Sequence, residues 1–143
     1  MLKKHISYWE HFDHDADMGI RGIAPTLAES FEQAALALTA VIADPDAVEE
    51  AASISIKCQA PDNELLFLEW INELIYQMSV HNLLFGRFEV TIGQSELSAT
   101  ACGETVDRKK HQPAVEIKGA TFTELRVYQN SEAMWVAQCI VDV

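Results

Sequence analysis

Apolar residues keep two rhythms along this chain, one helical and one alternating, and the changes between them divide it into elements. Leu27, Phe31, Ala34, Leu38, Val41 and Ile42 recur at helical spacing after the capping box Thr26-x-x-Glu29, until Asp44-Pro45 ends the pattern. A second helix is predicted from about Asp62, just past Pro61, to about His81. Its apolar stripe is Leu65, Leu68, Ile71, Leu74, Ile75 and Met78, with Glu69, Asn72, Glu73 and Gln77 mostly opposite. Between the helices Ile54, Ile56 and Cys58 share one face of a strand over residues 53–59.

From Phe85 onward the period is two. Phe88, Val90 and Ile92 alternate with polar residues, Gly93-Gln94 suits a type II′ hairpin turn, and Leu97, Ala99 and Ala101 return on the second arm. Residues 8–12 and 20–24 read as short strands flanking an acidic loop, and residues 122–128 and 134–143 as two more joined by Asn130-Ser131. The last strand is apolar on both faces through Ile140, which implies a central place in its sheet. The remaining obvious loops are residues 44–52 and 107–113. Two helices among largely antiparallel strands make an α+β fold, a single compact domain over residues 1–143.

The 143-residue chain carries 10 Lys and Arg against 22 Asp and Glu, a net charge of −12, and such a field repels phosphate backbones. Direct, non-specific nucleic-acid binding is not expected. Cys58, Cys102 and Cys139 are odd in number and lack a C-x-x-C pair, which argues against both a disulfide framework and a structural zinc site and fits a reducing cytoplasm. Lys3 and Lys4 are not followed by an apolar run, and the longest apolar stretch, residues 34–43, is interrupted by Thr39, so neither a signal peptide nor a membrane span is expected.

Two acidic places stand at opposite ends of the chain: His11-Phe12-Asp13-His14-Asp15-Ala16-Asp17-Met18-Gly19, and Ile140-Val141-Asp142-Val143. Gathered carboxylates repel unless a cation or hydrogen bonds compensate them, so the cluster suggests a hard divalent metal. The spacing Asp13-x-Asp15-x-Asp17 resembles the start of a calcium loop, but the turn glycine comes one place late at Gly19 and Ala24 stands where a bidentate Glu is needed. It is not an EF-hand. The alternative is that Asp17 caps a turn through backbone amides and Asp142 is simply solvated. Glu104, Asp107, Lys110, His111 and Lys118 form a second polar set, readable as an acid/base pair or as a structural or partner-docking group. Trp9, Trp70 and Trp135 each sit in a hydrophobic period and belong to the core or its edge.

The chain resembles the archease family over nearly its whole length. The segments that carry the resemblance are residues 14–22 (His14-Asp15-Ala16-Asp17-Met18-Gly19 onward), residues 66–76, Gly103-Glu104 with Asp107 and Lys110-His111, residues 116–121, and residues 135–143. That resemblance implies a divalent ion, taken as calcium, held by Asp17, Asp142 and the main-chain oxygen of Val143. Hard oxygen donors suit such an ion better than zinc or copper. From the residues themselves two placements are open for His14, Asp13 and Asp15: behind these ligands, with His14 orienting the loop by donating to a carboxylate, or at the surface facing water. Asp15 occupies a position where family members commonly carry an uncharged residue.

The resemblance further implies an accessory protein, not an enzyme. Its partner would be the RNA-splicing ligase that joins a 2′,3′-cyclic phosphate or 3′-phosphate end to a 5′-hydroxyl. The accessory protein promotes guanylylation and multiple turnover of that ligase in tRNA splicing and RNA repair, and tRNA is met only through the ligase. Two alternative readings remain. One is a chaperone or specificity modulator of another RNA-modifying enzyme, such as a tRNA methyltransferase. The other is a metal-dependent hydrolase using Asp17 and Asp142 as ligands and His14 or His111 as base.

Overall fold

The computed structural model describes residues 6–143, so Lys3 and Lys4 lie outside the described residues. The elements in chain order are β1 (Tyr8–His14), β2 (Asp17–Ala24), α1 (Leu27–Ile42), β3 (Ala52–Gln59), α2 (Asn63–His81), β4 (Leu83–Ile92), β5 (Glu96–Thr105), α3 (Arg108–His111), β6 (Gly119–Ala120), β7 (Arg126–Gln129) and β8 (Trp135–Asp142). They form the expected α+β arrangement with two antiparallel sheets. One runs β1-β2-β8-β6 with β7 also on β8, and the other runs β3-β5-β4. As its two apolar faces require, β8 is central: Val136 to Val141 are all buried.

Both helices pack against both sheets. α1 touches β1, β2 and β8 on one side and β4 on the other, while α2 reaches β3, β4 and β5 as well as β6, β7 and β8. Thr26 caps α1 by accepting the Glu29 amide at 3.2 Å, as the capping box predicts. Small residues let α1 lie close to β2: a Cβ at Gly22 would collide with the Ser30 carbonyl and the Ala34 amide, so only glycine fits there. Trp70 is fully buried and its indole donates to the Phe31 carbonyl at 3.1 Å, with Phe31 edge-on to Phe67 and Trp70 edge-on to Phe88. Trp9 and Trp135 pack at the rim of the same core.

Four local expectations change. The buried face of α2 is Leu66, Phe67, Trp70, Ile71, Leu74, Ile75 and Met78, so its first two turns are rotated from the Leu65 and Leu68 stripe: the larger rings of Phe67 and Trp70 claim the interior. The hairpin between β4 and β5 has no left-handed Gly93; Ser95 takes that role at φ 59°. Residues 107–113 are not all loop, because Asp107 caps the single turn of α3 and Gln112 ends it at φ 48°. Residues 122–128 are a strand only from Arg126, since a turn at Phe122 to Leu125 with Glu124 at φ 55° breaks the run and leaves Phe122 71% exposed. Among the described residues no helix is long and apolar enough to cross a membrane.

Candidate functional site

The N-terminal acidic run is a hairpin tip, tighter than the loop its composition suggests. β1 continues to His14 and β2 starts at Asp17, leaving only Asp15 and Ala16 to turn, with His14 opposite Asp17 and Asp13 opposite Met18. Asp15 takes the left-handed conformation, φ 52°, that a short polar side chain tolerates. β8 runs antiparallel along the other edge of β2 with Met18 opposite Val141, so one further step sets Asp142 beside Asp17. Across the next strand Asp142 faces Gly119 of β6.

His14, Asp17, Asp142 and Gly119 therefore form one row at the end of the first sheet. Directly opposed residues in antiparallel strands project to the same face, so the register, extended one step, puts the Asp17 and Asp142 side chains on one face of neighbouring strands across 125 positions of sequence. The Val143 amide donates to Asp17 Oδ1 at 3.4 Å, a long hydrogen bond that ties the end of β8 to the tip of the hairpin. Asp17 and Val143 are half-buried, whereas Asp13, Asp15 and Asp142 are exposed. The pleat sends Asp13 to the face opposite Asp17, and Asp15 lies in the turn.

Among the described residues no three His, Cys, Asp or Glu side chains converge as a metal cage. The donor set of this corner is two carboxylates with backbone oxygen at the end of β8. Such an oxygen-only, partly open set fits a hard cation that completes its shell with water and does not fit a zinc site. His14 is half-buried and directly across from Asp17 in the hairpin.

The second polar set divides. Glu104, Asp107, Lys110 and His111 meet; Lys118 stands apart from them, beside the acidic corner, where its amide donates to the Asp142 carbonyl at 2.7 Å. The His111 ring is enclosed. Its Nδ1 accepts the Asp107 amide at 2.9 Å, so the ring proton is on Nε2, which donates to Glu104 Oε2 at 3.0 Å. The same oxygen accepts from Lys110 Nζ at 2.7 Å and from the Glu49 amide at 2.8 Å. The hydrogen bond from Lys110, then those from the Glu49 amide and His111, hold the Glu104 carboxyl down at about 2. Through these bonds the group fastens β5 to α3 and to the segment before β3.

Sequence reasoning passed over Arg21, Gln138 and Asn72. Gln138 is 2% exposed in an otherwise apolar strand; it accepts from Arg21 Nε at 2.8 Å and donates to the Glu124 carbonyl at 3.1 Å. Arg21 also pairs with Glu10 at 2.7 Å and lies over the Phe12 ring. A lone amide in a buried strand was the available signal. Cys58 and Cys139 are buried and poor nucleophiles: burial pushes the Cys139 thiol up to about 12, and burial with the nearby Glu69 pushes Cys58 up to about 11.

Comparison with known proteins gives a consistent result. Residues 9–143 match the model of the Archease protein family (MTH1598/TM1083). The protein archease of Pyrococcus furiosus is 37% identical over 139 residues, covering 94% of this chain and 98% of that one. The protein archease of Sulfolobus acidocaldarius is 34% identical over 140 residues, covering 96% and 100%. The solution structure of Methanobacterium thermoautotrophicum protein 1598 superposes with a TM-score of 0.83 at 30% identity, covering 94% of this chain and 98% of that one. The Thermotoga maritima crystal structure titled an archease, possible chaperone, shares the fold at a TM-score of 0.59 and 17% identity, covering 100% and 98%. With a family match over residues 9–143 and relatives at 34–37% identity along nearly its whole length, this chain belongs to the archease family.

Proposed function

We propose that this protein is a cytoplasmic, non-catalytic accessory factor that binds a divalent cation, calcium by preference, and activates an RNA-splicing ligase by promoting its guanylylation. The observation that carries this reading is the meeting of Asp17, Asp142 and the Val143 backbone at one sheet corner in a member of this family. Asp17, Asp142 and the main-chain oxygen of Val143 would hold the ion. When bound, the ion would supply positive charge at an otherwise acidic corner, and with it a coordination position open to a partner's oxygen atoms. The chain's own residues hold the geometry: the hairpin tip fixes Asp17, β6 and β8 fix Asp142, and His14, opposite Asp17 in the hairpin, would orient its carboxylate.

The net charge of −12 suits encounter with a basic RNA-binding cleft, since opposite potentials steer association, and it disfavours direct capture of tRNA. Guanylylation of the cognate ligase with GTP, in the presence of catalytic amounts of this protein, tests the proposal. More ligase-GMP and more turnovers are expected with the wild type, and neither with Asp17→Ala nor Asp142→Ala proteins that remain folded by circular dichroism. Stimulation that survives both substitutions would overturn the role of the ion. GTP hydrolysis or RNA joining by this chain alone would overturn the accessory reading.

A second reading is a chaperone or specificity modulator of a different RNA-modifying enzyme such as a tRNA methyltransferase; the Thermotoga maritima relative is described as a possible chaperone. Co-purification from cells separates the two.

A further inference from the structure

β6 is only two residues long, yet it is the strand against which Asp142 is set. The Lys118 amide donates to the Asp142 carbonyl at 2.7 Å and the Thr121 amide to the Ile140 carbonyl at 2.9 Å, so both ends of β6 are tied to β8. Between them the Ala120 amide turns to the opposite edge and donates to Asn72 Oδ1 of α2 at 2.9 Å. So short a strand contributes few ladder bonds of its own, and its place depends on what holds its outer edge. α2 does the same for β7, where Glu64 Oε2 accepts the Val127 amide at 2.9 Å. Two side chains on one helix thus stand in for a missing edge strand. Only one of them serves the strand that positions the acidic corner.

We infer that Asn72 is a positioning residue for the cation corner: by holding β6 against β8 it sets the Asp142 carboxylate and the adjoining backbone where they can share an ion with Asp17. The inference rests on the reading of Asp142 as a ligand and adds to it the residue that orients that ligand through the backbone. Asn72 touches none of the three donors itself. Its effect runs along one path, from α2 to Ala120, from β6 to Asp142.

The test compares Asn72→Ala and Glu64→Ala in the full chain, because the second removes an equivalent clamp from the neighbouring strand and serves as the control for general loosening. Calorimetric titration with calcium alone should show affinity about tenfold weaker for Asn72→Ala, the effect typical of groups that orient a metal ligand, and unchanged for Glu64→Ala. Asn72→Asp, which keeps the acceptor oxygen, should retain calcium affinity at wild-type strength or above. Amide exchange of the metal-free proteins supplies the second readout. Asn72→Ala should expose the Lys118 and Ala120 amides and leave Val127 protected, and Glu64→Ala should do the reverse. Equal calcium affinity in Asn72→Ala and wild type, or equal weakening by both alanine variants, would overturn the inference. Wild-type protein that binds no calcium would overturn the cation reading instead; unchanged exchange at Lys118 in Asn72→Ala would then still reject the role of Asn72 in holding β6.

Discussion

Two acidic regions of this protein each gather carboxylates beside a histidine, and they differ in how far their own chain compensates those carboxylates. At the Glu104 clasp one carboxylate oxygen accepts three hydrogen bonds, from Lys110, the Glu49 amide and His111, all at 3.0 Å or less, and the ring of His111 has both nitrogens engaged. At the hairpin corner Asp17 accepts one long bond at 3.4 Å, and Asp13, Asp15, Asp17 and Asp142 form no ion pair among the described residues. A carboxylate compensated by its own chain gains nothing from an added cation. Carboxylates left open do. The difference separates structure from candidate function between two segments that both carry the family resemblance.

The contrast can be broken most sharply at His111. Removing an enclosed ring that serves two partners should destabilise the fold by about 2–4 kcal/mol, through the loss of packing and the stranding of the Asp107 amide and part of the Glu104 carboxylate. Chemical denaturation of His111→Ala should report that loss, while calcium affinity stays at the wild-type value. A loss of calcium binding equal to that of Asp17→Ala would join the two regions and defeat the distinction.

Calcium addition tests the other side. An ion bound only by the folded chain stabilises it by about 2.7 kcal/mol at a hundredfold excess over its dissociation constant. Wild type and His111→Ala should both show that gain as a rise in melting temperature, and the Asp17→Ala, Asp142→Ala double variant should show none. A gain that persists in the double variant would place the ion elsewhere.

A smaller effect follows from pH. Because the folded Glu104 carboxyl is held near 2 against an ordinary value of 4.5, its share of stability is fully present above about 4.5 and is lost as pH falls toward 2. Denaturation of wild type and Glu104→Gln should therefore differ most near neutrality and converge as the pH is lowered through that window. A difference that persists undiminished at pH 2.5 would mean that the Glu104 charge contributes nothing beyond packing.

Much of the scaffold was legible in local pattern, because it depends on interactions between residues close in sequence. The capping box at Thr26, the stop at Asp44-Pro45, the end of α2 near His81 and the alternation in β4 and β5 each follow from such short-range rules. The doubly apolar β8 announced its central place for the same reason, since no exposed strand could carry it. Where larger side chains compete for one interior, as Phe67 and Trp70 did in α2, periodicity missed the buried face by one residue.

The sequence by itself determined the net charge, the residue types at each acidic place and the family they belong to. Tertiary structure decided which of those residues meet. Pairing of β2 with β8 joined Asp17 to Asp142 across 125 positions, and the end of β5 carried Glu104 to His111 and to the Glu49 amide while leaving Lys118 beside Asp142. It also gave Asn72, one polar residue among several on the outer side of α2, the task of holding β6. A pairing between distant strands and a side chain that closes a sheet edge are set by how whole elements pack, and no local spacing records them.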